Sequence, residues 1–134
     1  MTYMLDTNIC IYAIKNKPEY VLRKIKDNMQ EGLCISAITL AELVHGVEKS
    51  MYPEKNRDAL VQFLALLDVL AFDELAAAEY GNICAFLQRN GISIGTMDTL
   101  IAGHARAEDL ILVTNNVREF SRVPDLKIEN WAES

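Results

Sequence analysis

An α/β fold, with a mostly parallel sheet of about four to five strands and helices on both faces, is what this sequence predicts. Short apolar runs that are typical of buried strands alternate with longer stretches of helical periodicity, which is the pattern of parallel sheets. The 134 residues are 51% hydrophobic and 24% charged, which allows a sizeable core and is too apolar for a disordered chain. We expect one domain that spans residues 1–134.

Two strands and four helices are expected in the first half of the chain. A strand at Tyr3–Leu5 precedes a helix over about Thr7–Lys15, and Pro18 suits the first turn of a helix that runs to about Gln30. Leu33–Ser36 is a short apolar run and therefore a second strand. Two more helices follow, since apolar residues recur at helical spacing: Leu40, Leu43, Val44 and Val47 in one, and Leu60, Phe63, Leu64 and Leu67 after Pro53 in the other.

Three strands and three helices are expected in the second half. Asp73 caps a long helix that carries Leu75, Ile83, Phe86 and Leu87 and stops at Asn90-Gly91. The remaining elements are a strand at Val69–Phe72, a helix from about Met97 to Glu108, a strand at Leu110–Val113, a helical turn at Val117–Phe120 and a strand near Lys127–Glu129.

Charge and apolar patterning exclude some classes of protein. No apolar run reaches the roughly 18 residues of a membrane span and no signal-peptide pattern is visible, so we expect a cytoplasmic protein. The net charge of −6 and the pI near 4.9 argue on their own against a surface that tracks phosphates. Basic residues can still cluster: Lys15, Lys17, Arg23, Lys24 and Lys26 form either a local basic patch or an ordinary solvated helix face.

The three cysteines and two histidines form no metal-binding motif. Cys10, Cys34 and Cys84 lack C-x-x-C spacing and lie in apolar surroundings, so we expect buried free thiols rather than zinc ligands or a disulfide. His45 and His104 are expected to be helix-packing residues.

Four polar residues near strand ends or helix starts are the candidate catalytic residues. Asp6 closes the first strand, Glu42 lies in the helix after the second strand, Asp98 opens a later helix, and Asn116 follows the fourth strand. In open α/β sheets, ligands bind beyond the carboxyl ends of the strands. Carboxylates gathered there repel one another unless a cation offsets their charge, and their oxygens suit Mg²⁺ or Mn²⁺.

Each of these residues also has an ordinary structural explanation. Asp6 could cap the following helix, Thr39-Leu-Ala-Glu42 matches a capping box, Asp98 could favour the positive end of its helix, and Asn116 could be a turn residue. Considered together, they favour a metal-dependent nuclease, since a bound Mg²⁺ can activate a water without any protein nucleophile. No Walker loop or dinucleotide-binding motif is present.

Four segments resemble the PIN-domain ribonucleases, in that family's order and spacing. They are Met4-Leu-Asp-Thr-Asn8, Ile38-Thr-Leu-Ala-Glu-Leu43 with Gly46, Asp98-Thr-Leu-Ile-Ala-Gly-His-Ala105, and Val113-Thr-Asn-Asn116 with Glu119-Phe120. Within the family, the chain is most similar to the VapC toxins of VapBC toxin–antitoxin modules. The resemblance implies a three-layer α/β/α domain, Mg²⁺- or Mn²⁺-dependent endoribonuclease activity and neutralisation by a cognate VapB antitoxin. It also implies homodimers, larger toxin–antitoxin complexes and a structured RNA target, such as a tRNA cut in a single-stranded loop.

The resemblance also assigns roles to individual residues. It places the metal on Asp6 and Asp98, with Glu42 as the third acid. In many PIN domains a fourth acid stands where this chain has Asn116, whose carbonyl oxygen can ligate a metal or orient a water but adds no charge. Supporting roles around the site fall to Thr7, Asn8 and Thr114. Two other functions stay open: a catalytically silent partner-binding module, which Asn116 favours, and a metal-dependent phosphatase of small molecules.

Overall fold

The computed structural model describes residues 1–133, in which a five-stranded sheet is covered by helices on both faces. The elements, in chain order, are β1 (Tyr3–Leu5), α1 (Thr7–Lys15), α2 (Glu19–Asp27), a 3-10 turn (Met29–Glu31), β2 (Leu33–Ser36), α3 (Ala37–Glu48), α4 (Pro53–Leu64), β3 (Asp68–Leu70), α5 (Glu74–Arg89), α6 (Thr96–Ala107), β4 (Ile111–Val113), α7 (Val117–Phe120) and β5 (Ile128–Glu129).

The strand order is β3-β2-β1-β4-β5, and every pairing is parallel. The chain therefore winds outward from β1 to β3 and then returns to the other side of β1. Neighbouring β1 and β4 form the point at which the strand order reverses, and they pair in the register Met4 with Leu112. Ligand sites of open α/β sheets lie outside the carboxyl ends of the strands at such a point.

The sheet separates two hydrophobic clusters. One is built around Leu5, Ile35 and Val113 with side chains of α1 to α4, and the other around Met4 and Leu112 with side chains of α5, α6 and α7. Successive residues of β1 thus point to opposite faces, as a strand requires. Both faces are apolar, which explains why the strands are almost continuously hydrophobic. The predicted α/β fold with a parallel sheet is confirmed.

Local signals explain where several helices begin and end. The side chains of Asp6, Ser36 and Asp73 accept hydrogen bonds from the backbone N–H groups at the starts of α1, α3 and α5, and Pro53 is the first residue of α4. Helix α5 ends with Asn90 as its C-cap, where the sequence predicts the end of the helix, and the next residue, Gly91, has a positive φ. These N-caps supply hydrogen-bond acceptors to helix ends that would otherwise lack them.

Several sequence-based expectations need correction. The third strand is Asp68–Leu70 rather than Val69–Phe72, and the second helix ends at Asp27. Val44 and Leu75, assigned to apolar helix faces, are 42% and 62% exposed. Helical spacing identifies a potential face but cannot show whether a neighbouring element covers it.

The cysteines and histidines also divide between core and surface. Cys10, Cys34 and His104 are buried, whereas Cys84 is only partly buried and His45 is exposed, so the packing role expected of His45 is wrong. No disulfide joins the cysteines. Among the helices described, none has the length and apolar character needed to cross a membrane.

Candidate metal-dependent active site

Asp6 lies at the centre of the carboxyl edge of the sheet. It follows β1, its backbone N–H donates to the carbonyl of Val113 at the end of β4 (3.0 Å), and its side chain is only 4% exposed. Its Oδ1 accepts the N–H of Ile9 at 2.9 Å. Asp6 therefore does cap α1, and the same geometry holds its carboxylate at the switch point between β1 and β4.

Glu42 is brought to this edge by a long-range hydrogen bond. The hydroxyl of Thr7, the first residue of α1, donates to Oε1 of Glu42 at 2.6 Å, and it lies 3.4 Å from the hydroxyl of buried Thr39. Helix α3 is capped by Ser36, so the alternative explanation of Glu42 as the acid of a capping box with Thr39 does not apply. Glu42 is thus free of a capping role, and Thr7 fixes the direction of its carboxylate.

Asp98 enters the site from the first turn of α6. Its carboxyl group is partly buried, and both Glu42 and Glu119 lie near enough to disfavour its ionised form. Glu119 lies on α7, and the sequence pattern alone assigns it no role in the site. Its carboxylate lies 3.8 Å from the guanidinium of Arg122. The structure therefore adds a fourth acid that the sequence interpretation missed.

The last candidate residues surround the β4–α7 connection. Buried Thr114 hydrogen-bonds the Asp6 carboxylate and accepts the N–H of Asn116 at 2.8 Å. Asn116 itself is the N-cap of α7 but makes no side-chain capping bond. Asn8 is exposed on α1. Thr7 and Thr114 thus contact the acids Glu42 and Asp6 directly, whereas no such contact is made by Asn8 or by the side chain of Asn116 among the hydrogen bonds of residues 1–133, and the roles given to all four residues stay predictions.

Burial and mutual repulsion shift the acids toward their protonated forms. Burial raises the pKa of Asp6 to about 6 from an ordinary value of 3.8, against the hydrogen bonds from Thr114 and Ile9, and Asp98 and Glu42 add to the increase. Burial, followed by the charges of Glu42 and Glu119, raises the pKa of Asp98. A cation placed among these groups would reverse both effects.

The donor chemistry at this edge fits a hard divalent cation. Of the salt bridges in residues 1–133, none involves Asp6, Glu42 or Asp98, so three acids share one edge without a basic partner. In the same part of the chain, no three His, Cys, Asp or Glu side chains are arranged to hold a metal as they stand. The unpaired acids and the lack of a three-residue cluster are both consistent with a Mg²⁺ site in which one or two carboxylates bind the ion directly and water completes its coordination shell.

A serine-hydrolase site does not compete with this interpretation. Gly91-Ile-Ser-Ile-Gly95 matches the G-x-S-x-G pattern of nucleophile elbows. That turn must follow a strand and open a helix, whereas here it connects α5 to α6. Neither histidine hydrogen-bonds to Ser93 in the described part of the chain. His104 Nδ1 is instead 2.8 Å from Ser36 Oγ, and His45 is exposed on the surface of α3.

An apolar groove of about 350 Å³ ends beside Glu42. We name it the α1–α3–α4 groove after the helices that form it. Its apolar lining includes Ile11, Ile14, Leu43, Val47 and Leu60, with Lys15 and Lys49 at its margin.

The family of the chain is shown by comparison with known proteins. The PIN domain family matches residues 3–126, and the chain belongs to that family. It is 47% identical over 131 residues to the tRNA(fMet)-specific endonuclease VapC of Salmonella typhimurium, covering 98% of each chain, and 49% identical over 133 residues to the protein of that name from Shigella flexneri, covering 98% and 99%. The predicted recognition, a PIN-domain endoribonuclease of the VapC type, is confirmed.

Solved structures give the same result for the fold. The DNA-bound VapBC of Salmonella typhimurium superposes with a TM-score of 0.93 at 47% identity, covering 98% of each chain. VapBC2 of Rickettsia felis, bound to a DNA fragment from its promoter, superposes with a TM-score of 0.93 at 43% identity, covering 98% of this chain and 99% of that one. The predicted PIN-like three-layer fold is therefore confirmed.

Proposed function

We propose that this protein is a divalent-metal-dependent endoribonuclease that acts as the toxin of a toxin–antitoxin pair. The observation that carries the proposal is the carboxyl edge of the sheet, where buried Asp6 and partly buried Asp98 and Glu42 lie together and take part in none of the salt bridges of residues 1–133. We propose Mg²⁺ or Mn²⁺ as the missing charge, with residues 1–134 acting as one PIN domain.

Each acid has a role that follows from its surroundings. Asp6, fixed by the α1 N-terminus and Thr114, and Asp98, on the first turn of α6, would hold the cation. Glu42, oriented by Thr7, would complete the site or orient the attacking water. Asn116 would assist through its amide oxygen. The cation supplies positive charge that lowers the pKa of a water and stabilises charge developing on the phosphodiester.

We propose a tRNA as the substrate class, cut in a single-stranded loop. Two relatives that share nearly half of their residues with this chain are called tRNA(fMet)-specific endonucleases. Single-stranded loops expose unstacked bases, which proteins can recognise individually. The net charge of −6 requires that phosphate contacts be local, and Lys15 and Lys49, which line the same groove as Glu42, offer such contacts.

We further propose that a VapB-type antitoxin covers the α1–α3–α4 groove. Structural neighbours with 43% and 47% identity are VapBC complexes. The groove is apolar and adjoins Glu42, so a peptide lying in it would also obstruct access to the acids. Homodimers, larger toxin–antitoxin complexes and a cytoplasmic location are part of the same proposal.

A partner-binding module without catalysis is the second candidate. One observation favours it: no three acidic, histidine or cysteine side chains in the described chain are placed to hold a metal without movement. Such a module would not require Mg²⁺ for its function, which makes the two candidates separable.

The deciding experiment is cleavage of total bacterial RNA by purified, antitoxin-free protein. Reactions contain Mg²⁺, Mn²⁺ or EDTA, with Asp6→Asn and Asp98→Asn as site variants and Asp109→Asn, an exposed acid at the other edge, as matched control. We expect discrete fragments only from the wild type and the control, and only with metal. Full activity in either site variant would contradict the assignment, and intact RNA under all conditions would favour the binding module.

A further inference from the structure

A second cavity, of about 220 Å³, lies at the start of α6, the helix that carries Asp98. It is formed by the C-terminal half of α5, the following loop and the first turn of α6. Two of its lining residues, Thr96 and Thr99, stand on either side of Asp98 in sequence. Because one turn of α-helix rises only about 5.4 Å, Thr96 and Thr99 lie within about one turn of Asp98 along the axis of α6.

The lining of this cavity is neutral and rich in hydrogen-bonding groups. The amide of Gln88 and the hydroxyls of Ser93 and Thr96 can both donate and accept, and all three residues are exposed. Leu87 belongs to the hydrophobic core, Ile94 packs against it, and both give the cavity an apolar wall. No lining residue is acidic or basic.

We propose that this cavity binds a single nucleobase of the RNA substrate, at a nucleotide close to the scissile phosphate. The proposal rests on the ribonuclease function proposed above. It makes Gln88 and Ser93 residues that determine base preference, while Asp6 and Asp98 carry the cleavage chemistry.

The chemistry of the lining selects a base over the other parts of a nucleic acid. A phosphate is held most strongly by cationic side chains and a metal by carboxylates, and the cavity offers neither. A base is neutral and presents ring-edge donors and acceptors, which suit an amide and hydroxyls. The cavity is also smaller than the roughly 300–1,000 Å³ sites of drug-sized ligands, which favours one base.

Tyr80 adds the aromatic surface that base recognition commonly uses. It lines the cavity from α5, and unstacked RNA bases bind on aromatic rings while their edges hydrogen-bond to polar groups. Its backbone lies so close to Gly103 of α6 that a Cβ there would come within 2.8 Å of the Tyr80 nitrogen. The close contact of the two helices therefore fixes the position of this wall.

The test is a comparison of base preference in three variants. The probe is a pool of hairpin RNAs with a randomised loop, cleaved with Mg²⁺ and analysed by sequencing of the fragments. Gln88→Leu and Ser93→Ala alter the cavity, while Gln62→Leu, an equally exposed glutamine on α4, is the matched control. Leucine is a good helix former, so both glutamine variants should fold, and thermal denaturation checks this.

We expect the wild type to prefer one base at a position near the cut. Gln88→Leu or Ser93→Ala should reduce that preference about three- to tenfold, the loss of one or two hydrogen bonds, with unchanged metal dependence and unchanged preference elsewhere in the loop. Identical preferences in folded Gln88→Leu, Ser93→Ala and Gln62→Leu would overturn the subsite. So would a wild type that cleaves with no preference near the cut. A wild type that cleaves no RNA at all would contradict the ribonuclease function itself.

Discussion

Acidic residues at the two edges of the sheet differ in whether they form salt bridges with basic side chains. At the amino edge, Asp109 precedes β4 and pairs with Lys127 at 2.9 Å, and near the end of α6 the guanidinium of Arg106 lies 2.5 Å from Glu79. At the carboxyl edge, Asp6, Glu42 and Asp98 have no basic partner among the salt bridges of residues 1–133. The first edge is arranged for stability, and the second concentrates charge at a cost in stability.

The difference shows how a site can be separated from the rest of a fold. Unpaired buried carboxylates destabilise a protein unless a ligand offsets them. Among the acids of residues 1–133, burial raises the pKa of Asp6 and Asp98 at the carboxyl edge, and neither takes part in a salt bridge. Because this edge also contains the reversal point of the strand order, topology and electrostatics independently indicate the same place.

The largest expected difference is in how a substitution in the candidate site and one outside it affect RNA cleavage. Glu42→Gln removes a charge but keeps the hydrogen bond from Thr7, so kcat/KM for a cleaved RNA should fall about 100-fold, or about 2.7 kcal/mol. Glu48→Gln, on the same helix but in an exposed pair with Arg57, is the matched control and should keep full activity. Equal activities in the two variants would remove Glu42 from the site.

A gain in stability is the next largest expected effect. In the metal-free protein at pH 7.5, Asp6→Asn should raise the free energy of unfolding by about 2 kcal/mol, somewhat less than the full cost of the shift to a pKa of about 6. Asparagine can still accept the Ile9 N–H, so the helix cap is retained. Urea denaturation in EDTA measures this value, and Mg²⁺ should stabilise the wild type but not the variant.

The pH dependence of the stability gained in Asp6→Asn distinguishes the burial of a charge from a change in packing. The pKa of Asp6 is about 6 in the folded protein and 3.8 as its ordinary value, so the folded state binds the proton more tightly. The metal-free wild type should therefore lose stability, relative to Asp6→Asn, as the pH rises from about 4 to about 6. A difference between the two proteins that is independent of pH would contradict the electrostatic explanation.

Replacement of Arg106 is expected to lower the stability of the protein without lowering its cleavage activity. Its guanidinium also donates to the Pro124 carbonyl and the Asn82 side chain, at 3.0 and 2.6 Å. Arg106→Met should lower the free energy of unfolding by about 1–2 kcal/mol, since Glu79 is partly solvated, while metal-dependent cleavage at low temperature stays unchanged. Arg57→Met, which breaks an exposed pair, should leave the urea midpoint at the wild-type value. Lost cleavage in folded Arg106→Met would show that the two edges are coupled.

Sequence reasoning reached the parts of the site that local pattern determines. Asp6 and Asp98 could be located because a strand end and a helix start are local features. Glu119 could not, because α7 has only four residues and its approach to Asp98 depends on tertiary packing. The bond between Thr7 and Glu42 likewise joins residues 35 positions apart. Val44 shows the same limit in the fold, since its spacing is helical but the residue is 42% exposed.

The smallest expected effect belongs to the exposed pair at the amino edge. Asp109→Asn removes the contact with Lys127, in which the two side chains are 84% and 60% exposed, and exposed pairs contribute little because water and salt screen them. Asp109 also has a φ of 55°, a left-handed conformation that asparagine tolerates well. The urea midpoint and RNA cleavage should both match the wild type, at low and at high salt. A clear loss of either would mean that the amino edge contributes to function, and the contrast between the edges would then fail.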